Sequence, residues 1–162
     1  MRIASILENQ SIEKRIAITP EIAKKYLALG FEISLITKYG EHLGFKDSEY
    51  KELGVEISTN ETEILNKADI ITQLNLLSDE NLSNLKENQT LIGVFNPYVN
   101  KEKIEKISKK NVNFFSLEML PRITRAQSMD ILSSQANLAG YKAVIESFAN
   151  FEKAIPMMMT AA

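Results

Sequence analysis

The sequence predicts an α/β fold, a parallel sheet with helices on both faces and a long helix at its C-terminal end. Five short apolar runs, four of them rich in β-branched residues, read as strands, and helical patterns fall between them. Alternation of this kind implies right-handed βαβ units and a sheet covered on both sides. That is a Rossmann-like (flavodoxin-like) arrangement.

In chain order, residues 3–7 form the first strand. Thr19 caps a helix with Pro20 at its first position, and Gly30 stops it. Residues 31–37 form the second strand, followed by short helical turns near 47–53 and 62–67. The third strand covers 70–74, with a turn at 79–85 after it, and the fourth covers 91–95. A helix at 101–109 then leads to the last strand at 112–116. From about residue 125 to 153 one helix runs roughly 28 residues, or about 42 Å. Its N-cap is Thr124, and Met129, Leu132, Ala136, Ala139 and Ala143 recur three or four residues apart, so that face is expected to pack. The expected division is an α/β subdomain at 1–124 and a helix with linker at 125–162. Pro156 and the apolar run MMMTAA follow the helix, and a stop there reads as a truncation.

Composition narrows the chemistry. With 162 residues the chain is about one domain, able to bury roughly two thirds of its unfolded surface. The formal net charge is −2, with acidic and basic residues interleaved, so neither a nucleic acid nor a membrane surface is an expected partner. The chain has no cysteine and one histidine, which excludes thiol nucleophiles, disulfides and thiolate or histidine-rich metal sites. No run approaches the about 18 apolar residues of a membrane span, and the N-terminus lacks a long apolar stretch, so a soluble protein is expected.

The residues that stand out lie in PRITRAQSMDILSSQANLAGYKAV, residues 121–144. Gln127, Asp130 and Ser133 recur every three residues and so share a helix face, with Arg122 and Arg125 just upstream. Each has a plain alternative. Thr124 and Gln127 have capping-box spacing, Asp130 suits a helix dipole, and Ser133 could be solvated. Together they place a cation, an amide, a carboxylate and a hydroxyl at one helix mouth, a set suited to a carboxamide and ribose rather than to acid–base catalysis. No closely spaced glycines open a helix: the six, at 30, 40, 44, 54, 93 and 140, are scattered. A pyrophosphate-binding turn is therefore absent, and a nucleotide would be held mainly elsewhere. Arg15, in the loop before the first helix, could grip an anion but is more simply a partner of Glu13 or Glu21. His42 has no obvious carboxylate or cysteine partner and is assigned no function.

The same residues carry a resemblance. EKRIAITP, the GF-x-D-x-x-Y pattern at residues 44–50, the pair Ala68 and Asp69, PRITRAQSMDILSSQANLAGYKAV and PMMMTAA occur in order. In this the chain resembles the N-terminal part of the alpha subunit of proton-translocating NAD(P) transhydrogenases, in the family shared with alanine dehydrogenase. The resemblance covers the whole chain. It implies that Arg122, Gln127, Asp130 and Ser133 bind the nicotinamide of NAD(H), with Gln127 and Asp130 as the catalytic positions. It also implies that Gln127 reaches NADP(H) on a partner subunit. The implied partners are a second alpha component in a homodimer, a beta subunit and a membrane domain; the implied place is the cytoplasmic face of the inner membrane. The activity implied is hydride transfer between NADH and NADP+ coupled to proton translocation. In alanine dehydrogenases a lysine and a histidine handle the oxo acid, whereas the aligned residues here are Asn75 and Asn96. Asparagine is no general acid near neutral pH, which argues against the alternative of an amino-acid oxidoreductase. The glycine-rich nucleotide subdomain that follows in the family is missing, so the chain is expected to carry half a site and to be inactive alone. The remaining alternative is an interaction module without catalysis.

Overall fold

A computed structural model describes residues 1–153. It divides into two compact units, Met1–Met119 and the remainder from Leu120. The first unit contains one parallel sheet of six strands, β1 (Arg2–Ser5), β2 (Glu32–Ile36), β3 (Glu56–Ser58), β4 (Ile70–Thr72), β5 (Thr90–Gly93) and β6 (Asn113–Ser116), in the order β3-β2-β1-β4-β5-β6. Sequence periodicity indicates five of these. The sixth, β3, pairs Glu56, Ile57 and Ser58 with Ser34, Leu35 and Ile36 at the sheet's edge. Three residues are too few to show a period of two, so only pairing with β2 reveals it. Without β3 the order is the 2-1-3-4-5 of flavodoxin-like sheets; with it, the order is that of Rossmann sheets.

The connections are α1 (Pro20–Ala28), α2 (Asp47–Glu52), α3 (Glu61–Lys67), α4 (Asp79–Ser83) and α5 (Lys101–Ser108). Local chemistry explains their limits. The Thr19 hydroxyl accepts from the Ile22 N–H at 3.4 Å and Pro20 occupies the first turn of α1. Gly30 then takes the left-handed conformation that ends α1, with φ +86°. Asn60 and Ser78 cap α3 and α4 by accepting from Glu63 N and Asn81 N. The winding runs outward from β1 to β3 and then crosses to β4 and outward to β6, which under right-handed crossovers puts helices on both faces.

The core lies in the central strands, where Ile3, Ala4, Ile33, Leu35, Ile71 and Leu91 are buried. Near-continuous apolar strands are what burial on both faces requires. Gly93 sits where β5 meets this core: a Cβ there would come within 2.1 Å of the Gln73 carbonyl oxygen and 2.6 Å of the Phe95 ring, so only glycine fits. One buried polar chain joins the loops. Tyr39 Oη accepts from Ala17 N at 3.0 Å and Ile18 N at 3.2 Å, and it meets Ser5 Oγ at 2.8 Å. Ser5 Oγ donates to Gln73 Oε1 at 2.6 Å. Burial pushes the Tyr39 phenol up to about 12.

The second unit corrects the expectation of one long helix from residue 125. A 3-10 segment, Thr124–Met129, precedes α6 (Ile131–Ala149), which is 19 residues long. Asp130, not Thr124, is the N-cap of α6. Its ψ of 90° breaks the helix there, and its carboxylate accepts from Ser133 N at 3.0 Å. The capping box between Thr124 and Gln127 is not made. The expected packed stripe also fails, because α6 contains no buried residue. At 100° per residue, Ala136, Ala139 and Ala143 share one side with Leu132, while Leu138, Tyr141, Val144, Ile145 and Phe148 fall on the other. The larger residues on both sides are exposed. Pro156 and MMMTAA lie outside the described residues.

Candidate functional site

The polar cluster is built by the break between the 3-10 segment and α6. Arg122, Ile123, Thr124, Ala126, Gln127 and Asp130 line one cavity of about 270 Å³ within the second unit. Three of the four expected site residues therefore face a common space. Ser133 joins them through Asp130: its hydroxyl donates to Asp130 Oδ2 at 2.6 Å while its backbone N–H donates to Oδ1. These two bonds, and the charge of Arg122, hold the Asp130 carboxyl below its ordinary value, so it is a carboxylate at neutral pH. Ala126 is the buried anchor of the 3-10 segment, and Arg122 and Gln127 are exposed on either side of it.

The side chain of Gln127 makes no hydrogen bond with any described residue. The amide thus has two donors and one acceptor available to a ligand. Capping, the plain alternative, does not consume it. Asp130, by contrast, does two things at once, ending the 3-10 segment and presenting a negative charge to the cavity. The arrangement can bind and orient a polar ring substituent by a guanidinium, an amide and a carboxylate. It holds no group suited to proton transfer near neutral pH.

In the first unit the remaining candidates resolve differently. Arg15 is paired with Glu13, with Nη2 to Oε2 at 2.6 Å and Nε to Oε1 at 2.9 Å, as the plain reading expects. His42 is held by a carbonyl and an amide rather than by a carboxylate or a cysteine: Nε2 lies 2.7 Å from the Lys14 carbonyl, where it must donate, and Nδ1 lies 3.2 Å from Gln10 Nε2, where it must accept. It fastens the loop after β1. Asn75 Nδ2 donates to Glu8 Oε2 at 3.2 Å, and the backbone N–H groups of Leu74 and Asn75 donate to Glu8 Oε1. Asn96 has a left-handed backbone, φ +47°, and its N–H donates to Glu118 Oε1 at 2.5 Å. Both asparagines thus shape loops at the carboxyl ends of their strands. Sequence reading overlooked Glu8, which directly follows the first apolar run, and Gln73, which it counted within the third strand although β4 ends at Thr72; both stand where such sheets place ligand-contacting residues.

Comparison with known proteins agrees with this fold. The family described as "Alanine dehydrogenase/PNT, N-terminal domain" matches residues 6–139. Over its whole length the chain is 42% identical to an NAD(P) transhydrogenase subunit alpha protein of Rickettsia prowazekii (strain Madrid E), covering 43% of that protein. Among solved structures, the transhydrogenase from Sinorhizobium meliloti superposes with a TM-score of 0.86 at 38% identity, over 98% of this chain and 48% of that one. An L-alanine dehydrogenase shares the fold, with a TM-score of 0.68 at 16% identity over 73% of this chain and 32% of that one. The chain spans less than half the length of the transhydrogenase proteins it matches. Its six-stranded parallel sheet and its sequence together place it: the chain belongs to the alanine dehydrogenase/PNT N-terminal domain family, and within that family it resembles transhydrogenase alpha subunits.

Proposed function

We propose that this chain supplies one half of an NAD(H) site in a transhydrogenase, with Arg122, Gln127, Asp130 and Ser133 holding the nicotinamide end. The observation that carries the reading is the cavity shared by Arg122, Gln127 and Asp130, with an amide that no internal bond uses. The donor set fits the group. A carboxamide needs both a donor and an acceptor, which Gln127 provides; Asp130, fixed by Ser133, accepts from N–H or ribose O–H; Arg122 donates to a carbonyl. When bound, the nicotinamide supplies the hydride. The chain's own residues orient the ring and take no part in proton transfer, consistent with a reaction that needs two rings held in contact rather than an acid or base. The scattered glycines leave the pyrophosphate to a region outside this chain.

On this reading Gln127 and Asp130 are the catalytic positions. Gln127 has the reach to touch NADP(H) carried by a separate beta subunit, and the assembly is a homodimer of the alpha component joined to that subunit and to a membrane domain that translocates protons. The chain itself lies at the cytoplasmic face of the inner membrane, held there by its partners. Among the described residues no helix is long and apolar enough to cross a membrane. Division into a subdomain at 1–124 and a linking helix beyond is part of the same proposal.

The test is Gln127→Asn in the full-length complex. Shortening the side chain by one methylene should lower the rate of hydride transfer by roughly a hundredfold, with a much smaller loss of NADH affinity, since Arg122, Asp130 and Ser133 still hold the ring substituent, and with little change in melting temperature. Stopped-flow transfer rates, measured beside calorimetric affinity, decide it. A normal rate with a lowered melting temperature would reduce Gln127 to a structural residue.

A further inference from the structure

A second cavity, of about 500 Å³, lies entirely in the first unit, outside the carboxyl ends of β1 and β4, and its lining includes Glu8, Glu61, Gln73, Asn75 and Asn81. These strands are neighbours in the sheet, yet the chain leaves β1 toward one edge and β4 toward the other. Open α/β sheets take their ligands in the crevice at such a reversal, and the volume is within the range of small-molecule sites.

Gln73 is the decisive side chain. It is only 3% exposed. Its Oε1 accepts from Ser5 Oγ at 2.6 Å and from the Ile6 backbone N–H at 3.0 Å. A backbone N–H can meet only the oxygen, so the amide's orientation is settled, and Nε2 is directed away from both. Among the described residues Nε2 has no partner. No fully enclosed side-chain nitrogen or oxygen among them lacks one, so Nε2 must stand at the wall of the cavity that Gln73 lines. The amide cannot turn away. Tyr39 Oη accepts two backbone N–H groups, so its own proton goes to Ser5 Oγ, whose proton goes to Gln73 Oε1. Two hydrogen-bond donors are thus held in place for something that is not part of the chain.

The opposing charges are both negative. Glu8 is fixed by Leu74 N and Asn75 N, and Glu61 Oε2 accepts from Asn81 Nδ2 at 3.1 Å. No lysine, arginine or histidine lines the cavity. Arg15 feels the charge of Glu8, but its guanidinium is bonded to Glu13 and is not part of the lining. Two carboxylates without a lining cation repel an anion and match an ammonium group, while the Gln73 donors call for an uncharged oxygen. We propose that this cavity binds a small protonated amine bearing a hydroxyl or carbonyl oxygen, its ammonium toward Glu8 and Glu61 and its oxygen toward Gln73 Nε2. The proposal stands apart from the nucleotide reading, since no residue is shared between the two cavities.

The test is a titration of the ¹⁵N-labelled full chain with 2-aminoethanol, beside glycolate as an anion of the same size, followed through the side-chain amide resonances of Gln73. The amine should move those resonances saturably at roughly millimolar concentration, and glycolate should not. Glu61→Gln keeps an acceptor for Asn81 but removes the charge, and should weaken the amine by roughly tenfold with the rest of the spectrum unchanged. An unresponsive Gln73, an equal response to glycolate, or full affinity in a folded Glu61→Gln variant would each overturn the assignment.

Discussion

At the scale of single residues, Asp130 is the position where architecture and chemistry coincide. Its carboxylate caps α6 through Ser133 N and is also turned to the cavity with Arg122 and Gln127. The two roles separate by substitution. Asparagine caps nearly as well as aspartate, alanine does not. In the full-length protein Asp130→Asn should lower the melting temperature only slightly, by the lost charge, while weakening NADH binding by roughly tenfold; Asp130→Ala should lower the melting temperature further and weaken binding as well. Calorimetry with thermal melts reads the difference, and equal melting temperatures for the two variants would refute the cap. The pH dependence has a definite sign. Because the folded carboxyl titrates below its ordinary value, its stabilising effect is present above that value and is lost as pH falls through the lowered one.

Tyr39 behaves in the opposite sense. Its phenol is raised from 10.0 to about 12, so the native state keeps a proton that the unfolded chain releases. The contribution is complete below pH 10 and disappears as pH rises toward 12. Denaturant midpoints should therefore fall across that window. Tyr39→Phe should remove this part of the alkaline slope and cost about 1–3 kcal/mol at neutral pH, because Ala17 N, Ile18 N and Ser5 Oγ lose their shared partner. An unchanged slope in the variant would show that other groups set it.

At the scale of elements, β5 depends on one close approach. Gly93 lies so near the Gln73 carbonyl that even a methyl group must push β5 away from β4. Gly93→Ala should destabilise by at least the upper part of the roughly 1–3 kcal/mol typical of overpacking, read as a shift in denaturant midpoint. A shift below about 0.5 kcal/mol would mean that the two strands can part without cost. The displacement would also disturb Gln73, and with it the wall of the larger cavity.

At the scale of the whole molecule, the exposed apolar residues of α6 call for a covering. Leu138, Tyr141, Val144, Ile145 and Phe148 are all exposed on one side of the helix, and a helix apolar on opposite sides is normally enclosed by protein. The 162-residue chain should self-associate with rising concentration. Sedimentation velocity checks this, and one sharp monomeric boundary at high concentration would contradict it. The same chain should also bind NADH too weakly for calorimetry to detect, since it offers side chains to the nicotinamide end alone; stoichiometric micromolar binding would relocate the nucleotide site.

Residue types and spacing by themselves determined the alternating strands and helices, the Thr19-Pro20 start of α1, the turn at Gly30 and the grouping of Arg122, Gln127 and Asp130, because each depends on contacts a few residues apart. Motifs likewise carried the family, since PRITRAQSMDILSSQANLAGYKAV needs no folding to be read. Tertiary structure decided what depends on distant partners. The edge strand β3 exists only through its pairing with β2. The single long helix became a 3-10 segment and α6 because Asp130 captured Ser133 in competition with the Thr124 spacing, a choice between two good local caps that periodicity cannot rank. Gln73 became a directed donor only when Ser5, itself held by Tyr39, and Ile6, all distant in the chain, closed on its oxygen.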